Sequence, residues 1–442
     1  MVKKSITIEK VRIKNFKSIS DSNDIYMDKN ITILAGKNEA GKTSILEALL
    51  QFNTNISISK DAIPIQDDKA LPEIIVTFNV AKNVVQEIMD SLEITSYVTK
   101  NIYEITLIKY FPNAYELYAD EIFTIDFYEK VTDDYLNKLE SEYKKFQKLN
   151  IEKINLNIEA NDIEFSIENL DQIKNNFDLL YAKLKPHIPN LPKEDDFNYG
   201  DFFKLNISML KKLSDKEYYR KLFMDEFREK IPNFILFNSF EDILPHIVPL
   251  SEIENNEWIK DLAIISDLDT SIIASDDDRS KQTHKKNLNL KISNDYKNFW
   301  EQDLSQIVID WDNEKLMIWI EENDHFYEPQ NRSKGKQWHL AFYIKVTARA
   351  IEGKQNVILI DEPGLYLHAR AQRDILKKLE DSSIHASIIF TTHSPYLLEP
   401  EKFERIRLVL KDDNKGSYVE NKIHKVSDKE TLTPILTAIG LD

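Results

Sequence analysis

Residues 34 to 46 read LAGKNEAGKTSIL, with Gly36 and Gly41 ahead of Lys42, Thr43 and Ser44 in the pattern G-x-x-x-x-G-K-[ST]. These residue types at this spacing suit one task, holding a polyphosphate. The glycines let the backbone curl so that its N–H groups face phosphate oxygens. The candidate phosphate-holding residues are therefore Gly36, Lys37, Asn38, Glu39, Ala40, Gly41, Lys42, Thr43 and Ser44. Lys42 would reach the β and γ phosphates, and the Thr43 hydroxyl would ligate Mg²⁺.

Three further stretches carry matching chemistry. Val357-Ile358-Leu359-Ile360 is an apolar run ending in Asp361-Glu362. It reads as a buried parallel strand with carboxylates at its C-terminal edge, where α/β sheets place ligands. Asp361 would hold Mg²⁺ through water, and Glu362 would polarise the attacking water as general base. A second buried run, Ser387 to Thr392, delivers His393 to the same edge, as a sensor of the γ-phosphate. Ser333 and Gly335 open a helix and form an anion-binding N-terminus, strengthened by Lys334 and Lys336. Lys42, Glu362 and His393 are thus the catalytic candidates, with Thr43 and Asp361 the metal ligands. The chain has eight glycines, and Gly36, Gly41, Gly335 and Gly364 fall in these four short loops. Glycine is costly elsewhere and useful where backbone must approach phosphate.

The surrounding elements must position these groups. Asn30 to Ala35 reads as a buried strand before the loop, and Ser44 to Leu50 as a helix after it. Further strands are expected at 6–19, 71–80, 102–111 and 121–129. From 130 to about 300 the chain is Lys/Glu/Asn-rich with helical periodicity. Leu170, Ile173, Phe177, Leu180 and Leu184 form one heptad-like seam; Leu136, Leu139, Tyr143 and Phe146 form another. Both are short, fitting a brief coiled-coil arm or an ordinary helical subdomain. Strands return at 306–323, two runs around Asp312-Asn313, followed by a helix from 335 to 351. The expected organisation is an N-terminal lobe at 1–129, a helical insertion at 130–304, and a C-terminal lobe at 305–442.

Composition sets bounds. With 442 residues, 42% of them apolar, the chain can bury sizeable cores. It has no cysteine, which excludes disulfides and thiolate metal sites. No apolar run is long enough to span a bilayer, and no signal-peptide core stands at the N-terminus, so a cytoplasmic protein is expected. The net charge of −17 argues against a free-standing nucleic-acid binder. Nucleic-acid contact would need a local patch, such as Lys3, Lys4, Lys10, Arg12, Lys14 and Lys17, or a loop with Lys281, Lys285 and Lys286. Ordinary solvated charge is the favoured reading of both.

The order of phosphate loop, long insertion, Ser-x-Gly signature, acidic pair and switch histidine resembles the ABC-type ATPases of the SMC and RecF kind. NRSKGKQWHLAFYIKV, LIDEPGLYLHARAQ and FTTHSPYLL are more closely similar to the overcoming-lysogenization-defect (OLD) family. PNFILFNSFEDILP (232–245) is similar to its middle region. The resemblance implies an α/β ATPase head with a mixed or parallel sheet, ATP and Mg²⁺ as its ligands, and a head-to-tail sandwich of two copies. Ser333 and Gly335 of one copy would then meet the γ-phosphate bound at Lys42 of the other. His368 would lie at the interface, and Gln51 and Gln66 are candidates for the glutamine that comes after the phosphate loop. In the fused family a Toprim nuclease domain follows the ATPase. Here Asp267-Leu268-Asp269 matches its Asp-x-Asp pair only by chance, because it sits in a helical region. A separate nuclease, or a truncated chain, would account for that. The resemblance thus implies the ATPase of an antiphage defence system, acting on a nuclease partner with no membrane involved. The alternative is a DNA-repair or maintenance ATPase that binds DNA directly. A transporter subunit fits poorly, since about 290 residues separate Thr43 from Ser333. A module that holds ATP without turnover fits poorly with Glu362 and His393.

Overall fold

The fold comes from a computed structural model that describes residues 5–65, 67, 69–94, 98–150, 164–188, 198–213, 215–237, 243–275, 277–300, 303–351, 356–365, 367, 369–383, 386–399, 401–412 and 416–421. The chain opens with strands β1 (Ile6–Phe16), β2 (Ile19–Asp21), β3 (Ile25–Tyr26) and β4 (Ile31–Ala35), then helix α1 (Lys42–Gln51). Next come β5 (Glu73–Ala81), α2 (Lys82–Ser91), β6 (Ile102–Tyr110) and β7 (Ala114–Tyr118). Four helices follow: α3 (Ile125–Asn150), α4 (Leu170–Leu184), α5 (Tyr199–Leu213) and α6 (Lys216–Lys230). After β8 (Asn233–Phe237) and β9 (Ile247–Pro249) stand α7 (Glu257–Ser266), α8 (Thr270–Ala274) and α9 (Asp278–Phe299). The remainder is β10 (Gln306–Trp311), β11 (Lys315–Glu322), β12 (His325–Tyr327), α10 (Lys334–Ile351), β13 (Asn356–Ile360), α11 (Ala369–Ser382), β14 (Ser387–Thr392), β15 (Ile406–Asp412) and β16 (Gly416–Glu420).

Two compact units result. One holds residues 1–78, 107–115 and 231–442; the other holds 79–106 and 116–230. A 12-stranded mixed sheet has the order β7-β6-β5-β1-β2-β16-β15-β4-β14-β13-β8, with β3 on β1. This is an α/β fold. Its parallel centre decides function. β4 pairs in parallel with β14 and β15, and β13 with β14 and β8. Every residue of β4 and β13 is buried, as expected for strands covered on both faces. In register, Ala35 lies opposite Thr392, and Ile360 opposite Phe390. The residues just past these strand ends, Gly36, Asp361 and His393, must therefore emerge along one sheet edge.

α1 packs on β1, β8, β13 and β14 through buried Ile45, Leu46, Ala48 and Leu49. Burial of each of the Ile45, Leu46 and Leu49 side chains contributes about 1.5–3 kcal/mol. Below its C-terminal turn lies a fully buried lysine. Lys109 Nζ donates to the carbonyls of Gln51 at 2.8 Å and Asn53 at 2.7 Å, and also to that of Ile56. The Gln51 carbonyl is one that a helix end leaves without an intrahelical partner, and the other two belong to the turn that follows. Lys109→Met should therefore destabilise the protein by about 3 kcal/mol or more, read as a lower urea midpoint.

A smaller sheet holds β10, β11 and β12, with β9 also on β11. The expected hairpin forms there: Trp311 faces Leu316, and the Asp312 carboxylate accepts the N–H groups of Glu314 and Lys315. Residues 231–304, expected with the helical insertion, belong instead to the first unit. There α7 packs on α10, and α9 on β10.

In the second unit the two seams face one another. Leu136, Leu139, Tyr143 and Phe146 are buried on α3, and Ile173, Phe177, Leu180 and Leu184 on α4. Tyr143 meets Phe177 at 5.5 Å, and both seams reach Phe203 of α5. The helices thus form a packed subdomain. Residues 121–129, expected as a strand, are a turn and the start of α3. Phe123 and Phe127 are spaced for one helix face and stack edge-on at 5.2 Å, while the Thr124 hydroxyl accepts the Phe127 N–H. The loop expected around Lys281, Lys285 and Lys286 is helical, within α9.

Candidate active site

The phosphate loop leaves β4 with its glycines under steric demand. A side chain on Gly36 would come within 2.4 Å of the Val409 carbonyl oxygen. Gly41 has φ +103°, and a Cβ there would lie 2.5 Å from Ser417 Oγ. The loop so formed curls around the Lys42 ammonium. Lys42 is 6% exposed, and its Nζ donates to the carbonyls of Gly36 at 2.9 Å and Lys37 at 3.1 Å. The same nitrogen lies 3.3 Å from Glu362 Oε1. Lys37, Asn38 and Glu39 are exposed, while Ala40 is buried beneath them. Thr43 Oγ1 donates to Asp361 Oδ2 at 3.0 Å.

The acidic pair is held by a residue outside the four motifs. Thr391 Oγ1 donates to Asp361 Oδ1 at 2.5 Å and accepts the Glu362 N–H at 2.9 Å. Glu362 has φ +47°, a left-handed backbone that costs of order 1–3 kcal/mol for a non-glycine residue. The His393 N–H donates to Glu362 Oε2 at 3.2 Å. His393 Nδ1 lies 3.0 Å from Glu362 Oε1 but out of line for a hydrogen bond. Gln372 ties the two loops together. Its Nε2 donates to the carbonyls of Gly364 at 3.0 Å and Leu367 at 3.3 Å, and its Oε1 accepts from Ser394 Oγ at 2.7 Å. A threonine in a fully buried strand must satisfy its hydroxyl, which is the one sequence signal Thr391 gives, and it does not say with which partner. Gln372 left no such signal.

Thr391→Val keeps shape and removes the hydroxyl. It should slow ATP turnover about tenfold while changing ATP affinity little, because Asp361 and Glu362 lose their shared anchor. Steady-state kcat, measured beside nucleotide binding, checks this.

The signature lies at the start of α10. Ser333 is exposed and caps the helix weakly: the Lys336 N–H is 3.4 Å from Ser333 Oγ, and the Ser333 carbonyl accepts the Gln337 N–H at 2.9 Å. Gly335 lies in the first turn. Lys336 departs from expectation. Its ammonium turns inward to Asp303 and Ser305, so it does not add free positive charge to an anion site. Burial raises the Asp303 carboxyl, but the charge and hydrogen bond of Lys336 outweigh it and hold that carboxyl below its ordinary value. Lys334 stays exposed, with Nζ 3.2 Å from Gln337 Oε1.

Other candidates are placed as follows. His368 and Gln66 lie outside the described residues. The Gln51 side chain accepts the Ser59 N–H at 2.9 Å. Asp267 ends α7 at φ +60°, and Asp269 caps α8 by accepting the Ser271 N–H. Their spacing thus serves two helix ends. Among the described residues no three His, Cys, Asp or Glu side chains gather as a metal site. The Thr43 hydroxyl and the Asp361 carboxylate are nonetheless the hard oxygen donors that suit Mg²⁺, which binds through one or two carboxylates plus phosphates.

Residues 7–398 match AAA_15, the AAA ATPase domain family. The chain belongs to this family. Membership implies ATP binding and makes ATP hydrolysis the activity expected of the site. Among relatives of this AAA ATPase domain, an uncharacterized protein of Methanocaldococcus jannaschii is 31% identical over 163 residues, 35% of this chain and 42% of that one. The OLD nuclease of Thermus scotoductus is 39% identical over 67 residues, 14% of this chain and 12% of that one. The DNA double-strand break repair Rad50 ATPase of Archaeoglobus fulgidus is 53% identical over 45 residues, 10% of this chain and 5% of that one. The chain therefore spans less than half the length of each relative. Among solved structures, the Smc head domain of Pyrococcus furiosus with an extended coiled coil, bound to the C-terminal domain of ScpA, overlays with a TM-score of 0.43 at 14% identity, covering 98% of this chain and 99% of that one. The SMC head domain of Thermotoga maritima gives 0.39 at 10% identity, covering 94% and 98%. The fold assignment rests on the sheet and loops themselves. Among the described residues no helix is long and apolar enough to cross a membrane.

Proposed function

We propose that this AAA ATPase domain hydrolyses Mg²⁺-ATP bound at residues 36–44, with Glu362 as general base and a second copy supplying Ser333 and Gly335. The observation that carries the reading is the meeting of Lys42, Asp361, Glu362, Thr391 and His393 within 2.5–3.3 Å contacts at one sheet edge. Lys42 exchanges its loop carbonyls and Glu362 for phosphate oxygens, a charge-assisted substitution. Glu362, released from Lys42 and still anchored by the His393 N–H, accepts the proton of the attacking water. Thr43 and Asp361 would hold Mg²⁺ in place of their mutual hydrogen bond, and the ion would supply positive charge to offset that of the phosphates. The His393 ring donates to the γ-phosphate and so reports whether it is present.

The wider role we propose is antiphage defence: ATP holds a dimer or higher oligomer, and hydrolysis gates a separate nuclease. The short similarity to an OLD nuclease supports this. Plating phage on cells that carry the gene with its native neighbours tests it. Protection that survives Glu362→Gln and Lys42→Ala would overturn it.

The second reading, a DNA-maintenance ATPase, draws on the Rad50 similarity. The basic N-terminal segment does not favour it. Lys10 pairs with Asp24, Arg12 with Asp21, Lys14 with Glu73 and Lys17 with Glu47. Tight, salt-sensitive DNA binding by the purified chain would reverse the preference.

A further inference from the structure

A cavity of about 480 Å³ lies beside the signature, enclosed by the end of α9, the segment leading to β10, the start of α10 and one face of α11. That volume is in the range of small-molecule sites, roughly 300–1,000 Å³. One wall is aromatic. Trp300 stacks on His339, with ring centres 4.3 Å apart and planes 20° apart, and Phe299 adjoins Trp300 at 5.0 Å. Leu304 adds apolar surface and is 79% exposed. Trp300 is buried and backs the wall, while the half-buried Phe299 and His339 present the surface that a flat ring can meet.

The charges in the lining are unequal. Arg332 is matched by Glu322, and Lys336 by Asp303. Asp374 is the remaining acid. Against it stand two lysines of α11. Lys377 is exposed and has no acidic partner within 4 Å among the described residues. Among the described residues the polar and aromatic partners of Lys378 are the Asn298 carbonyl at 3.3 Å and the Phe299 ring at 5.4 Å. A chain of net charge −17 thus keeps uncompensated positive charge facing an aromatic cavity. A ligand that satisfies both features has a planar ring and an anion.

We propose that this cavity is a second ligand site, separate from the phosphate loop, for a planar aromatic molecule carrying one anionic group. Nucleoside monophosphates and aromatic carboxylates belong to that class. The site stands independently of the hydrolytic reading. Because Ser333 lines its wall, an occupant would lie against the segment that a second copy is proposed to use.

Isothermal titration calorimetry on the full chain carrying Lys42→Ala, which weakens nucleotide binding at the phosphate loop, tests this with AMP, GMP and 2-naphthoate. Adenosine is the uncharged control. We expect saturable binding of at least one anionic probe and at least tenfold weaker binding of its uncharged counterpart. Lys377→Glu with Lys378→Glu should weaken the anion at least tenfold. So should Leu304→Asp, a separate exposed change that leaves the helix intact, and thermal melts confirm that each variant is folded. The proposal is overturned if none of the three probes binds, if adenosine binds as tightly as AMP, or if folded variants of both kinds keep wild-type affinity.

Discussion

Glu362→Gln is expected to bind ATP at least as tightly as wild type and to release phosphate about 100- to 10,000-fold more slowly. The rate loss is the usual contribution of a positioned general base. Glutamine keeps the length of the side chain and an oxygen for the His393 N–H, so the 3.2 Å anchor survives. It cannot take a proton from water at neutral pH. It also removes the charge that sits 3.3 Å from Lys42 in the resting site. That ammonium then meets phosphate without first leaving a carboxylate, which favours binding. Phosphate release and equilibrium nucleotide binding, measured side by side, separate the two effects. Equal loss of both would point to misfolding around the left-handed Glu362 backbone.

Lys42→Ala is expected to act in the opposite way, on binding first. The ammonium would make charge-assisted hydrogen bonds to phosphate, each worth about 1.5–3 kcal/mol, so ATP affinity should fall roughly 10- to 150-fold. There is also a cost without nucleotide. Lys42 is buried and bridges the Gly36 and Lys37 carbonyls to Glu362. Its loss leaves a half-buried carboxylate without its cation, so the melting temperature should fall even in the apo protein. Lys42→Met, which keeps the apolar stem, should recover part of that stability and none of the affinity. Nucleotide titration and thermal melts on both variants check this.

Much of the site was legible because parallel strands simplify geometry. Buried apolar runs at 31–35, 357–360 and 387–392 announce strands covered on both faces, and the residues just past each run must share an edge. Lys42, Asp361, Glu362 and His393 could therefore be grouped from spacing and residue type alone. The contacts that orient them were less accessible. Thr391 reads as one more strand residue until its hydroxyl is seen between Asp361 and Glu362. The charge of Lys336 is plain in the sequence but its inward direction is not, because Asp303 lies far away in sequence and nothing local marks it as the partner. Residues 121–129 alternate like a strand, yet Phe123 just before α3 packs on Phe127 in its first turn, and the Thr124 cap decides for the helix. Short apolar runs carry both periods, and tertiary packing chooses between them. The expected insertion at 130–304 fails at its far end for a similar reason. α9 shares the polar, helical composition of α3 and α6, and only the packing of α9 on β10 and of α7 on α10 assigns this stretch to the first unit.

The central claim is that ATP is hydrolysed at a site completed by the signature of a second copy. Phosphate release by purified Ser333→Arg, beside wild type at saturating Mg²⁺-ATP, tests it most directly. Ser333 is exposed at the start of α10, so arginine there need not disturb the fold. The account predicts steady turnover in wild type, and a variant that still binds ATP but releases phosphate at under about a tenth of that rate, the scale of losing one transition-state hydrogen-bond donor. Equal rates in the two proteins, or no turnover in wild type with ATP bound, would contradict it.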